Sequence, residues 1–217
     1  MFITKVILMV VGSYLLGSLL WAYIIAKMVR GIDIRNYGNP GGGTIYRIMG
    51  KKWAFLVGFL DAAKAVIPTL IAMRMFLSDP PIAYEYWPVV FVAVAAVAGH
   101  NWPIFFKFSG GGGLACGVGI LACLMPKTLA IVLPFGILAG FIMWKLPIFK
   151  KAKSTAPGGG AAALLLLPFL VKPFYGPDVD ALFILSLLLL FLAAIRQVLN
   201  VPRKLIPIIK ASLKEKK

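Results

Sequence analysis

The sequence predicts an all-α polytopic membrane protein, a single domain of about seven transmembrane helices, and three observations predict it. Hydrophobic residues make up 61% of the 217 residues and charged residues only 14%, with a mean hydropathy of +0.93. Too few polar residues remain to cover a water-facing surface, so the bilayer is the expected solvent. Apolar segments recur at about 6–28, 53–77, 87–106, 114–125, 128–144, 157–172 and 181–196, several of them near the roughly 20 residues that a spanning helix needs. The charge is lopsided: 23 Lys+Arg stand against 7 Asp+Glu, a net +16. In such a chain this excess points to anionic lipid headgroups, to a positive-inside orientation and to anionic substrates, and no nucleic-acid partner is expected.

The first segment, from Val6 to about Met28, is too long for the apolar core of a signal peptide and predicts a retained helix. Lys5 precedes it, but Lys27, Arg30 and Arg35 follow, so the N-terminus is expected outside. The second carries Asp61 and Lys64, three positions apart and so on one helix face. Either charge alone at mid-membrane costs about 2.5–3.5 kcal/mol on insertion scales; the two are expected to pair, turned inward, as a structural element. The third ends in the only histidine, His100, within "GHNWPIFFKFSGGGG" (99–113). The fourth and fifth are parted by Pro126-Lys127, and one helix through both would be too long for a single crossing. The fourth holds Cys116 and Cys123, expected to be free packing thiols; no zinc-type spacing occurs. The sixth is short, and the seventh precedes a basic tail, "RKLIPIIKASLKEKK", whose simplest reading is a surface helix held by acidic lipid.

Charge parity chooses seven crossings over six. With seven, the stretches 27–52, 107, 145–153 and 196–217 share one side and hold 18 of the basic residues, while the other side keeps Lys5, Arg74, Lys127 and Lys172. The richer side is cytoplasmic, and the C-terminus with it. The expected organisation is a transmembrane domain over 1–200 and a basic cytoplasmic tail over 201–217.

Three glycine clusters then fall on the cytoplasmic side: "GNPGGG" (38–43), "GGGG" (110–113) and "GGG" (158–160). Glycine runs let backbone N–H groups converge on an anion, and the second run directly precedes a helix expected from Leu114, whose N-terminus also favours an anion. Any one cluster reads as a flexible turn; three on one face beside a basic surface make a phosphate cradle an equal reading. His100 fits either a general base for a hydroxyl or an interhelical hydrogen-bonding group. Asp33 and Arg35 flank the first glycine loop and are placed to shape it.

Several blocks follow one another in a specific order: "YLLGS" (14–18), "DIR" (33–35), "GNPG" (38–41), "RIMGKK" (47–52), "LDAAK" (60–64) and "GHNWPIFFKF" (99–108). They resemble the acyl-phosphate-dependent glycerol-3-phosphate acyltransferases, small bacterial integral membrane enzymes; the likeness covers most of residues 10–120. The resemblance implies seven helices that bring three cytoplasmic motifs together in the bacterial plasma membrane. It implies transfer of a fatty acyl group from acyl phosphate to glycerol 3-phosphate, giving lysophosphatidic acid for phospholipid synthesis, with no metal and no cofactor. Under it, His100 orients or deprotonates the glycerol hydroxyl. Gly38, Asn39, Gly41, Gly110, Gly111 and Gly113 form a backbone cradle, Thr44 and Ser109 add side-chain contacts, and Arg47, Asn200 and Arg203 hold phosphate.

This chain also departs from the family pattern. The loop between Arg35 and "GNPG" is two residues shorter, so the serine of the first motif has no counterpart, and Thr44 stands where its second asparagine would be. Ser109 and Gly112 replace the two lysines of the second motif. Gln197 and Val198 replace the histidine and arginine of the third. A charge-assisted hydrogen bond contributes about 1.5–3 kcal/mol, so these losses bear directly on catalysis unless Arg35, Arg47 or Lys107 compensates. They also favour a rival, a non-catalytic paralogue that binds a lipid phosphate or a partner enzyme. A solute transporter has less support, since no inverted repeat is evident.

Overall fold

The computed structural model describes residues 1–79, 81–145, 166–176, 180–189, 191–192 and 195. The described residues are helical, without a strand: α1 (Phe2–Gly17), α2 (Trp21–Arg30), α3 (Gly42–Met49), α4 (Lys51–Phe76), α5 (Tyr86–Asn101), α6 (Leu114–Leu124), α7 (Pro126–Lys145), α8 (Leu167–Tyr175) and α9 (Asp180–Leu189). Three stretches among them are long and apolar enough to cross a membrane, Phe2–Arg30, Lys51–Phe76 and Tyr86–Phe106, and shorter apolar helices accompany them. These helices are apolar on most of their circumference, as expected where one side packs and the other meets lipid. Phe55, Phe59, Phe91, Ile137 and Phe141 are exposed on the outside. The glycine cluster 158–160, the third-motif positions and the basic tail lie outside the described residues.

The expected single helix over 6–28 is broken in two. The chain leaves helical geometry at Leu20 (φ −90°, ψ 88°), and the carbonyl of Leu19 at the break accepts from Lys64 Nζ at 2.5 Å. A continuous apolar run gives no sign of this, because the partner that makes the break tolerable comes from α4. The fourth and fifth segments are separate helices, as expected: Met125 (φ −137°, ψ 57°) interrupts the path between them.

The helix pairs are joined by small residues that let backbones touch. A Cβ on Gly99 of α5 would fall on the Tyr14 carbonyl of α1, and one on Gly17 would fall on the Ala96 carbonyl. Tyr14 Oη donates to the Trp102 carbonyl at 2.7 Å and Ser13 Oγ to the Val92 carbonyl at 2.7 Å. Two apolar clusters result. The larger runs through α4, α5 and α6 into α7, α8 and α9 and includes Ala65, Val89, Val92, Ile120, Leu121 and Leu185. The smaller, with Ala22, Ile25, Ile34, Ile45, Met49 and Val57, holds α2, α3 and the start of α4 together and so fixes the first glycine loop.

The bundle has two distinct ends. Phe2 stacks edge-on against Phe76 at one end, with ring centroids 5.6 Å apart, where Glu85 closes the 77–85 turn by accepting from the Ser78 N–H (2.8 Å) and hydroxyl (2.7 Å). The backbone N–H of Lys127 donates to Tyr175 Oη. At the other end lie the Tyr14–Trp102 contact and both described glycine loops, and there Asn101 Nδ2 donates to the Leu192 carbonyl at 3.2 Å.

Candidate active site

The first glycine loop is built from a rigid corner. Asp33 caps a 3₁₀ turn (Ile34–Tyr37) by accepting from the Arg35 backbone N–H at 3.0 Å. The Arg35 guanidinium returns to the same carboxylate at 2.9 Å through Nε and 2.6 Å through Nη2. The role expected for this pair, shaping the loop, is the one it has. These hydrogen bonds from Arg35 hold the Asp33 carboxyl below its ordinary value of 3.8. With a lowered folded value, the pair's contribution is complete above that ordinary value and is lost only as pH falls through the lower one; it does not change around neutrality. Arg35 also lies over the Tyr23 ring, 4.8 Å from its centroid, and Tyr23 packs against Phe106 at 4.9 Å. Arg35 is thereby tied to the segment that leads into the second glycine loop.

After this corner the chain passes Gly38, whose φ of 134° is open to glycine and strained for other residues. Its vacant Cβ position faces Arg47 Nη2 (3.4 Å) and Thr44 Oγ1 (3.5 Å), and Arg47 Nη2 donates to Thr44 Oγ1 at 3.2 Å. Gly41 caps α3, its carbonyl accepting from the Thr44 and Ile45 N–H groups at 3.1 Å each. Gly38, Asn39, Gly41, Thr44 and Arg47 are therefore one local unit. Arg47 is exposed, and Thr44 is buried.

The second loop lies across the end of α5. Lys107 and Phe108 both take left-handed geometry (φ 51° and 55°), turning the chain back toward the helix it has just left, and Ser109 Oγ donates to the Lys107 carbonyl at 3.4 Å. Gly110 then presses on the His100 and Asn101 carbonyls and on Pro103 Cδ. Gly111 donates its N–H to the His100 carbonyl at 3.0 Å, and its Cα lies against the imidazole, so that a Cβ there would fall on His100 Nε2. Gly113 is left-handed (φ 75°), with Asn101 Oδ1 2.8 Å from where its Cβ would be. These three are glycine because α5 occupies the space a side chain would need. Gly112 differs: its Cβ position meets only Asn39 Nδ2, at 3.5 Å. The two glycine loops meet here, and the Asn39 side-chain oxygen is buried without a hydrogen-bond partner.

His100 sits beneath the loop, 4% exposed. Its Nδ1 faces Asp61 Oδ1 at 3.5 Å, long for a hydrogen bond. Asp61 Oδ1 is 2.9 Å from Lys64 Nζ, and both residues are 3% exposed. Cys116, one of two free cysteines, donates its thiol to the Asp61 carbonyl at 3.0 Å. The Asp61–Lys64 pair expected from the i, i+3 spacing is present and turned inward. Its contact with His100 was not legible, because nothing in the sequence pairs positions of α4 with the end of α5. Asn200 and Arg203 lie outside the described residues. No group of three or more His, Cys, Asp or Glu side chains suited to a metal occurs among the described residues.

A family model described as glycerol-3-phosphate acyltransferase matches residues 7–205. The chain belongs to that family. It is similar to glycerol-3-phosphate acyltransferases of Aquifex aeolicus (38% identity over 143 residues, 65% of this chain and 70% of that protein) and Halalkalibacterium halodurans (40% over 139 residues, 63% and 64%). The alignment with the Shouchella clausii protein is longer, 38% over 178 residues, covering 79% of this chain and 81% of that one. Among solved structures, the fold matches PlsY, an integral membrane glycerol 3-phosphate acyltransferase, in its glycerol 3-phosphate form: TM-score 0.76, 28% identity, 94% of this chain and 93% of that one. The lysophosphatidic acid form matches with a TM-score of 0.74.

Proposed function

We propose that this protein is a multi-pass membrane enzyme that moves a fatty acyl group from acyl phosphate to glycerol 3-phosphate. The glycerol hydroxyl oxygen bonds to the acyl carbonyl carbon as that carbon's bond to the phosphate oxygen breaks. Lysophosphatidic acid and inorganic phosphate leave, and the hydroxyl proton ends on the released phosphate or on water. The family match over residues 7–205 carries this reading. The place where Gly112 meets Asn39 is where we seat a substrate phosphate, with the Gly38–Arg47 unit on one side and the Ser109–Gly113 loop on the other. Arg47 and Lys107 are assigned the positive charge near it, Arg35 being paired with Asp33, and Asn200 and Arg203 are assigned to phosphate as well.

The test is direct. Purified protein is incubated with acyl phosphate and glycerol 3-phosphate, and lysophosphatidic acid is measured. Its absence from well-folded protein would favour the non-catalytic paralogue. Arg47→Ala is expected to raise the KM for glycerol 3-phosphate about tenfold or more, by loss of one charge-assisted hydrogen bond. An unchanged KM would remove Arg47 from the site.

In this reading the glycine-loop end of the bundle faces the cytoplasm, the N-terminus is outside, seven helices cross the membrane and anionic lipid surrounds the basic face. The 18-to-4 division of basic residues supports that orientation. In a background of Cys116→Ala and Cys123→Ala, Tyr37→Cys in intact cells should resist an impermeant thiol reagent, and Asp79→Cys should react. External labelling at Tyr37→Cys would overturn the orientation.

A further inference from the structure

We propose that His100 is a positioning residue for the glycine loop. Clamped between Asp61 and Gly111, its imidazole sets the height of residues 110–113 over the end of α5, and thereby the seat of the substrate phosphate. The proposal rests on the acyltransfer reading for its substrate, but the geometry it starts from is independent of that reading.

Both edges of the imidazole are covered by protein. Nδ1 faces Asp61 Oδ1 at 3.5 Å. The opposite edge lies against Gly111, where a Cβ would be 2.7 Å from Cε1, 3.0 Å from Cδ2 and nearer still to Nε2. A general base needs a nitrogen lone pair within hydrogen-bond reach of the hydroxyl it deprotonates, and this ring, 4% exposed, has both nitrogens faced by protein. What the ring does present is a floor. The loop rests on it through Gly111, and the Gly111 N–H is tied to the His100 carbonyl at 3.0 Å.

The floor is itself held. Asp61 is fixed by Lys64 at 2.9 Å, Lys64 by the Leu19 carbonyl at the α1–α2 break, and the α4 backbone at Asp61 by the thiol of Cys116, in the first turn of α6. Three helices, α4, α5 and α6, and the α1–α2 break are thus linked at one buried ring beneath the loop. Substrate placement then depends on the volume at positions 100 and 111 taken together rather than on proton transfer at the imidazole.

The experiment is a double-mutant cycle on the full chain in detergent, with acyl phosphate and glycerol 3-phosphate as substrates. Gly111→Ala drives a methyl group into the imidazole and is expected to lower kcat/KM about 100-fold, with KM for glycerol 3-phosphate raised. In the His100→Ala, Gly111→Ala double variant the methyl occupies space the ring has left, and about tenfold or more should return relative to Gly111→Ala alone, an interaction within the range known for residues in contact. His100→Gln, which fills similar space without an imidazole, should stay within about tenfold of the parent. A catalytic base gives the opposite pattern: His100→Ala and His100→Gln both lose about 10²–10⁴-fold in kcat, and the double variant is no better than Gly111→Ala. That result would overturn the proposal.

A second readout does not need turnover. With Ser109→Cys as a reporter in a Cys123→Ala background that keeps the buried Cys116, Gly111→Ala should change the thiol labelling rate in purified protein, and adding His100→Ala should bring it back toward the parent rate. If the parent makes no lysophosphatidic acid but labelling follows this pattern, the positioning role stands and the acyltransfer reading fails. Labelling that ignores both substitutions would overturn the positioning role whatever the activity.

Discussion

Lys64→Met is expected to remove most of the folded protein from the membrane fraction. The ammonium of Lys64 serves two acceptors at once, Asp61 Oδ1 at 2.9 Å and the Leu19 carbonyl at 2.5 Å, and both charged side chains are closed off from solvent. Methionine has a similar length and shape, so packing changes little, but the Asp61 carboxylate is left buried without its cation. Removing one partner of a buried pair costs about 3–5 kcal/mol, and orphaning a buried carbonyl adds about 1–3 kcal/mol. Set against the roughly 5–15 kcal/mol that holds a typical domain together, this is a large fraction. For a chain of this size about 4 kcal/mol corresponds to a fall in Tm of roughly 8–16 °C, readable by fluorescence-detected thermal unfolding in detergent. Asp61→Leu combined with Lys64→Met removes both charges and should unfold at a higher temperature than Lys64→Met alone, because no uncompensated carboxylate remains. A fall of less than about 3 °C in the single variant would show that the carboxylate does not depend on Lys64.

The same pair marks how far the sequence is readable. Two charges three apart in an apolar helix must meet each other, and they do, because both the spacing and the penalty for separation are local. The start of α6 at Leu114 was readable for a similar reason, as a glycine run followed at once by an apolar stretch. The break at Leu20 was not, since a long apolar run looks the same whether or not a lysine from another helix stands ready to take a freed carbonyl. The eight-residue α3 was hidden inside a segment whose glycines argue for a loop; it is held by Ile45 and Met49 packing on α2 and Val57.

The glycine run shows packing that residue type alone does not reveal. Four successive glycines invite the idea of four backbone donors facing an anion. In the fold, Gly111 spends its N–H on the His100 carbonyl, and Gly110, Gly111 and Gly113 lack side chains because α5 leaves no room. His100 has an analogous history. A lone histidine beside a glycine loop suggests a base, and its burial between Asp61 and Gly111 is the observation on which the positioning role is proposed. Sequence carries residue type and order; it does not carry which side of a ring is covered.

Gly112→Lys is expected to raise acyltransferase kcat/KM about 10–100-fold, and the further change Ser109→Lys to raise it again. The family pattern has lysine at both positions, and both substrates carry phosphate. A lysine at the loop would give a charge-assisted hydrogen bond of about 1.5–3 kcal/mol, which is about 10–100-fold in rate if it acts on the transition state. Whether the loop can accept the side chain is a separate matter, and the four glycines differ. Gly112 lies outside the left-handed region that Gly113 occupies, and its Cβ position meets only Asn39 Nδ2 at an ordinary 3.5 Å. Lysine there starts beside Asn39, whose buried, unpartnered side-chain oxygen is an acceptor for the ammonium. Gly113→Lys is the control: its φ of 75° and the Asn101 oxygen 2.8 Å from the new Cβ make it strained, and it should lose activity or fold poorly. The measurement is lysophosphatidic acid formation at varied glycerol 3-phosphate, with the gain in kcat/KM shrinking as salt is added, because partly exposed charges are screened. Gly112→Lys protein that is folded and inserted but gains nothing would place the phosphate away from the meeting of the two loops.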